Sequence, residues 1–202
     1  MSSFIGHGLA ALTAKLSVPL DQQPFSKGSK GGLWLGWLIL IAWAPDIDYI
    51  VPALAMGQNQ GARITHSITI SLLLPALTMM ALWVMGLRQQ KFWVGTGQAI
   101  ATGLSHPVMD WLVGVLGLPL FWPLNSTLIK APVGLLPSAG KPHWQNYYFY
   151  ANLAIELGIL VPLILLGLGH LPWQKPKLKF WQTAILVAIM VYCLRTSMVL
   201  SR

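Results

Sequence analysis

Long apolar runs separated by short polar loops dominate the chain. Runs of this length are typical of helices that cross a bilayer, since about 20 apolar residues span its hydrocarbon core. Because a segment in lipid must satisfy its own backbone hydrogen bonds, we expect these runs to be helices. They lie at 33–56, 68–87, 92–121, 150–171 and 180–200, and a shorter apolar segment lies at 4–20. The pattern predicts an all-α integral membrane bundle of about five transmembrane helices plus a short N-terminal helix.

Composition supports a lipid-facing protein. Of the 202 residues, 55% are hydrophobic and only 9% are charged, whereas an average soluble domain has roughly 25% charged residues. The length fits a single membrane-embedded domain, residues 1–202. The net charge of +8 comes from short loops between apolar runs, so we expect contact with membrane lipid and no nucleic-acid partner. No basic residue precedes Phe4, so we expect the first segment to be retained and not cleaved as a signal.

The basic residues predict an orientation. With five spans they divide between the two sides of the bilayer, and the side with more of them is predicted to be cytoplasmic. The loops 57–65 and 122–145 then face outward. The larger group is Lys15, Lys27, Lys30, Arg88, Lys91, Lys175, Lys177 and Lys179, and the smaller is Arg63, Lys130, Lys141 and Arg202.

The few ionisable residues within apolar segments are the candidates for chemistry. A charged group placed within a membrane costs at least about 2.5 kcal/mol, so such a residue is a functional hypothesis by default. A metal ion would neutralise several buried carboxylates at once. The alternative interpretation of each residue alone is a hydrogen-bonded core histidine or a polar kink. These residues are His7, Asp46, Asp48, His66, His106 and Asp110.

Spacing brings several of these residues together. His106 and Asp110 are four residues apart, so a helix would present both on one face, where imidazole and carboxylate together can hold zinc. Pro107 between them is expected to start that helix. Asp46 and Asp48 are two apart, and an irregular turn beside Pro45 would aim both at one cavity.

The segment Arg63-Ile64-Thr65-His66-Ser67 adds a third element to this candidate site. His66 offers an imidazole ligand. Arg63 lies three residues earlier and offers a fixed positive charge suited to an anionic oxygen such as that of phosphate. Thr65 or Ser67 is expected to cap the helix that follows.

As an ordered set, the motifs resemble those of the YdjM-type family, whose members are described as predicted metal-dependent hydrolases of the inner membrane. The resemblance implies a core similar to the all-α zinc phospholipase C and single-strand zinc nuclease fold. It also implies a bacterial inner (plasma) membrane location. The motifs that carry it are His7, Pro45-Asp46-Ile47-Asp48, Arg63-Ile64-Thr65-His66-Ser67, Ser105-His106-Pro107-Val108-Met109-Asp110 and Phe121-Trp122-Pro123-Leu124.

The resemblance implies a ligand set for one or two divalent ions. Asp48 is preferred to Asp46 because Asp48-Tyr49 matches the Asp-Tyr ending of the soluble enzymes' motif, and Asp46 is kept as a ligand or a supporting carboxylate. Zinc is the expected metal, with manganese or iron also compatible with these donors. The implied ligands are His7, Asp48, His66, His106 and Asp110.

The predicted function is hydrolysis of phosphoester bonds, with a lipid phosphate as the candidate substrate and the site toward the extracytoplasmic side. Asp46 or Asp48 would accept a proton from water, and Arg63 would hold the phosphate. Two alternatives stay open: a structural or assembly protein with a metal staple, and an ion or solute transporter. Glu156 is interpreted as hydrogen-bonded within the bundle and His143 as interfacial.

Overall fold

The regular secondary structure of the described residues consists of helices. The computed structural model describes residues 2–26, 28–49, 51, 63–139, 143, 145–174 and 177–200. In these residues the all-α prediction is confirmed, and the β-pairing found there is one isolated bridge between Leu118 and Ile129. The helices are α1 Phe4–Leu16, α2 Gly28–Trp43, α3 Ile68–Ser71, α4 Leu73–Val84, α5 Gln89–Val113, α6 Tyr147–Gly169 and α7 Phe180–Val199.

Fewer helices qualify as membrane spans than the hydropathy of the sequence predicts. Among the described residues, α6 and α7 are long and apolar enough to cross a bilayer, and both bury few of their side chains. The run at 68–87 is divided between α3 and α4, and α2 ends at Trp43. α5 is long enough, but its polar residues lower its mean hydropathy. Two candidate spans therefore stand in the described chain where about five were expected.

Two short 3-10 turns interrupt the helices at the site. The first, Ala44–Tyr49, follows directly on α2, and the second, Ile64–His66, precedes α3. Ser67 caps α3, because its hydroxyl accepts a hydrogen bond from the backbone N–H of Ile70 at 3.3 Å. These turns explain why apolar runs that look continuous in the sequence end early.

The helix α5 passes through Pro107 without ending, which corrects the expectation that this proline starts a helix. Proline removes one backbone hydrogen bond of a helix, and the turns on either side keep theirs. His106 and Asp110 consequently lie in the last two turns of a 25-residue helix and share one face, as their spacing predicts.

Packing brings α1 against the elements that carry the site. It contacts α2, α5 and α6, while α4 packs on α5 and α6 on α7. One apolar core joins α1, α2, α4 and α5, and a second joins α5 to α6. The buried members of the first core are Ala11, Trp34, Leu38, Ile41, Ala42, Leu82 and Ala99, and those of the second are Met109, Val113, Leu136 and Ile159.

Several residues used in the sequence predictions lie outside the described part of the chain. They are residues 50 and 52–62, which belong to the predicted 33–56 span and 57–65 loop, and the cations Lys27, Lys141, Lys175 and Arg202.

Candidate metal centre

Four buried side chains from three separate segments meet in the interior. Asp46 comes from the turn after α2, His66 from the turn before α3, and His106 and Asp110 from α5. Each offers one ligand atom, and all four atoms lie within 4.8 Å of one another. From His66 Nε2 the distance is 3.1 Å to Asp110 Oδ2 and 3.4 Å to Asp46 Oδ1. From His106 Nε2 the same two oxygens lie at 3.6 and 3.7 Å.

The same four atoms lack hydrogen-bond partners. Asp46 Oδ1, His66 Nε2, His106 Nε2 and Asp110 Oδ2 are all buried and make no hydrogen bond within the described part of the chain. Buried polar atoms of native proteins are rarely left without a partner. Four such atoms within 4.8 Å of one another form a donor set of two imidazoles and two carboxylates, which is a set that zinc and related cations bind. The cluster can therefore hold a divalent metal ion.

The remaining ring nitrogens fix how the two histidines face the cluster. His106 Nδ1 lies 2.6 Å from the carbonyl oxygen of Ala42, which can only accept, so Nδ1 donates and the Nε2 lone pair faces the cluster. His66 Nδ1 lies 3.0 Å from the Thr65 hydroxyl, which lies 3.1 Å from Asp48 Oδ2. Metal-binding histidines commonly have such a partner on the other nitrogen.

Asp48 lies beside the cluster in an ion pair with Arg63. Arg63 Nε donates to Asp48 Oδ2 and its Nη2 to Oδ1, so both carboxylate oxygens are engaged. Asp48 Oδ2 lies 3.8 Å from His66 Nδ1. The resemblance favours Asp48 as the ligand, whereas the four-donor group contains Asp46, and Asp48 lies beside it.

Arg63 holds a positive charge at the least enclosed side of the site. Its Nη2 lies 3.5 Å from Asp46 Oδ1. Burial is the largest single influence and lowers the pKa of Arg63, but the hydrogen bond and charge of Asp48, together with the charges of Tyr49 and Asp46, outweigh it, and the net shift of the pKa is upward. The guanidinium therefore stays charged over the whole physiological pH range.

His7 lies on the other side of Asp110 from His66. Its ring stacks on that of His106, with centroids 3.9 Å apart and planes 13° apart. Its Nε2 lies 3.5 Å from Asp110 Oδ1, the oxygen that the four-donor group does not use. Both ring nitrogens are buried and lack a hydrogen bond in the described chain. His7 is thus adjacent to the four-donor group, which does not include it, and its predicted role as a ligand stays a prediction.

Two groups near the site were not assigned to it from the sequence. The backbone N–H of Ser2 donates to Asp110 Oδ1 at 2.8 Å, and Glu156 of α6 is fully buried against the Ser2–Ser3 segment. A backbone donor leaves no sequence signal, because every residue but proline has one. Glu156 did leave one, since it is the one acidic or basic residue in an otherwise uncharged span. His143 is exposed.

One comparison with known proteins finds a match. The family model described as YdjM inner membrane protein matches residues 1–199, nearly the whole chain. No curated protein matches the chain. No solved structure matches it either. The chain belongs to the YdjM inner membrane protein family.

Proposed function

We propose, on the premise that the chain is an inner membrane protein of this family, that it is a metal-dependent hydrolase of phosphoester bonds in lipids. The observation that carries the proposal is the grouping of four buried donor atoms without hydrogen-bond partners, beside a fixed arginine. Asp46, His66, His106 and Asp110 would hold the ion. Two imidazoles with two carboxylates favour zinc, and manganese and iron accept the same donors.

The chain's own residues would divide the work of hydrolysis. A bound divalent ion supplies a Lewis acid and lowers the pKa of water. Arg63, at the more open side of the cluster, would orient an anionic phosphate oxygen through charge and hydrogen bonding. Asp48 holds the guanidinium in place with both of its oxygens. Since those oxygens are engaged, Asp46 is the better proton acceptor of the two, through the carboxylate oxygen that would not bind the ion.

A lipid substrate follows from the location. The family is an inner membrane family, and α6 and α7 present apolar surfaces long enough to cross a bilayer. The extracytoplasmic placement of the turns carrying Asp46 and His66 stays a prediction, because it counts five spans and the described chain has two candidate spans. A phosphate at the headgroup level could then approach Arg63 while its lipid chains remain in the bilayer.

A structural role for the metal is the second candidate, and the depth of the donors favours it. The side chains of both cluster histidines are completely buried, and those of Asp46 and Asp110 nearly so. An ion held there would join three segments that span residues 46–110, as structural metals do in small domains.

Metal content and lipid hydrolysis, measured on the same preparations, test the proposal. The purified protein and its His106→Asn variant would be reloaded with zinc, analysed by mass spectrometry, and added to vesicles of phosphatidylglycerol and phosphatidylethanolamine. His143→Asn is the matched control, because that histidine is exposed and lies outside the cluster. We expect the wild type and the control to bind metal and release phosphorylated headgroups, and His106→Asn to do neither.

The other functions would appear as different outcomes of the same experiment. If the wild type binds metal but hydrolyses no lipid, and His106→Asn does not fold, the metal has the structural role and the hydrolase proposal is wrong. Flux of the ion into sealed vesicles, lost in His106→Asn, would replace it by transport. A folded wild type that takes up no metal would remove the basis of the proposal.

A further inference from the structure

Glu156 is a buried carboxylate in a helix that otherwise has no acidic or basic residue. It lies on α6, one of the two candidate spans, and its side chain is completely buried. An ionisable group in such a position is costly unless its environment compensates for the lost hydration. In the described part of the chain it accepts hydrogen bonds from Ser2 and Ser3, at the beginning of α1.

The beginning of α1 supplies hydrogen-bond donors to this carboxylate. The backbone N–H of Ser3 lies 3.0 Å from Oε1 and 3.2 Å from Oε2, and the Ser2 hydroxyl donates to Oε1. Ser3 is also the N-cap of α1, because its hydroxyl accepts from Gly6 N–H at 3.0 Å. The positive end of the helix dipole therefore faces Glu156. A Cβ at position 6 would collide with Glu156 Oε1, so glycine permits this approach.

The same two residues also reach the candidate metal centre. Ser2 N–H donates to Asp110 Oδ1 at 2.8 Å, which occupies that oxygen and leaves Oδ2 for the four-donor cluster. One turn later, His7 N–H bonds to the Ser3 carbonyl at 3.1 Å, and its ring stacks on His106. The Ser2–Ser3 segment thus connects the Glu156 carboxylate to Asp110, to His7 and, through the His7 ring, to His106.

We propose that Glu156 is a positioning residue for the metal centre, acting through the Ser2–Ser3 segment. It anchors the first turn of α1, and that turn sets which oxygen of Asp110 faces the cluster and where the His7 ring lies. The proposal rests on the proposed function in so far as it requires the cluster to bind metal. It gives α6 a role in the site in addition to its role in the bilayer.

Glu156→Gln tests this with little change of shape. Glutamine keeps one oxygen that can accept from Ser2 and Ser3, replaces the other by an amino group facing the Ser3 N–H, and removes the negative charge at the beginning of α1, so the anchor is weakened. Groups that orient metal ligands are worth about 10–100-fold in metal affinity, and we expect a loss in this range. The visible spectrum of the cobalt-loaded protein should change as well, because it reports ligand geometry. Amide hydrogen exchange in the peptide that contains Ser2–His7 should become faster.

Gln98→Ala is the matched control. Gln98 is a buried polar residue that holds the opposite end of α1, since its Nε2 lies 3.2 Å from the Ala14 carbonyl and 3.4 Å from that of Lys15. Loosening α1 at that end should lower stability without altering the cobalt spectrum. A general weakening of the bundle would instead affect both variants alike.

A second pair of variants separates the link to Asp110 from the link to Glu156. Ser2→Ala removes the hydroxyl and keeps the backbone N–H, whereas Ser2→Pro removes both. We expect Ser2→Pro to bind metal more weakly than Ser2→Ala. The inference would be overturned if both Glu156→Gln and Ser2→Pro kept the metal affinity, cobalt spectrum and amide hydrogen exchange of the wild type. The proposed function would then remain intact. If the wild type binds no metal, the proposed function fails, and the exchange measurement still decides whether Glu156 anchors the segment.

Discussion

The helix α5 and the pair α6–α7 organise their side chains in opposite ways. α5 buries polar groups along much of its length, among them Gln98, Thr102, His106 and Asp110. α7 buries only Ser197 among its described residues, and α6 buries Glu156 with two apolar side chains. The surfaces of α6 and α7 are apolar and face outward, as helices facing lipid do.

The contrast separates two sources of stability. In α6 and α7 the exposed surface is apolar over a length sufficient to cross a bilayer, and the two helices pack chiefly on each other. Around α5, stability depends on whether each buried polar atom finds a partner or a cation. Apart from Glu156, changes in the first region should therefore affect helix packing, and changes in the second should affect metal binding.

Asp110→Asn should have the largest effect of any single substitution. The carboxylate contacts His7, His66 and His106, so its loss removes a ligand and leaves the histidines without a counter-charge. We expect metal binding to become undetectable by mass spectrometry, while the protein remains in the membrane. Asp21→Asn, at an exposed acidic residue, is the control and should bind metal as the wild type does. Retention of metal by Asp110→Asn would show that the cluster is not the binding site.

Arg63→Met should lower the free energy of unfolding by about 3–5 kcal/mol, because it leaves the carboxylates of Asp48 and Asp46 buried beside each other without their cation. Unfolding in detergent, followed by circular dichroism, measures the loss. Arg88→Met is the control, since Arg88 is exposed and lies over the Trp83 ring. Adding Asp48→Asn to Arg63→Met should restore part of the lost stability. A double variant as unstable as Arg63→Met alone would mean that the unpaired Asp48 carboxylate does not cause the loss of stability.

The sequence predicted more of the residues in the candidate site than of the membrane-spanning helices. His66, His106 and Asp110 were identified because an ionisable residue is costly in an apolar run, and that cost is visible in one sequence. The choice between Asp46 and Asp48 was not visible. It depends on the 3-10 turn that carries both and on Arg63, which takes Asp48 into an ion pair. A motif resemblance favoured Asp48, and three-dimensional packing favours Asp46.

The spans were overestimated for a related reason. Hydropathy measures composition over a window and does not register where a helix ends. α2 stops at Trp43 although apolar residues continue, because the chain turns at Pro45 to bring Asp46 inward. The run at 68–87 looks uniform, yet Leu72 divides it into two helices. The regions that build the site are therefore those in which hydropathy misjudged the helices.

Gly158→Val should destabilise the α6–α7 pair and leave the metal centre unaffected. A Cβ at position 158 would collide with the Cys193 sulfur of α7, so a larger side chain must push the helices apart. Overpacking of this kind costs about 1–3 kcal/mol, measured as a lower free energy of unfolding in detergent. Gly167→Val is the control on the same helix, because nothing lies within 4 Å of its Cβ position. A loss of metal in Gly158→Val would show that the two regions are coupled beyond Glu156.

Thr65→Val should have the smallest effect. It tests whether a hydrogen bond to the second ring nitrogen of His66 contributes to metal affinity. The Thr65 hydroxyl lies 3.0 Å from His66 Nδ1 and 3.1 Å from Asp48 Oδ2, so it connects a ligand to the ion pair behind it. Valine keeps the shape but cannot fix the ring, and we expect about tenfold weaker metal binding in chelator competition. The loss should be modest, because His66 is fully buried and its neighbours also hold the ring. Thr65→Ser keeps the hydroxyl and should bind as the wild type does. If serine were as weak as valine, the methyl group would be responsible, and packing would govern this ligand as it governs α6 and α7.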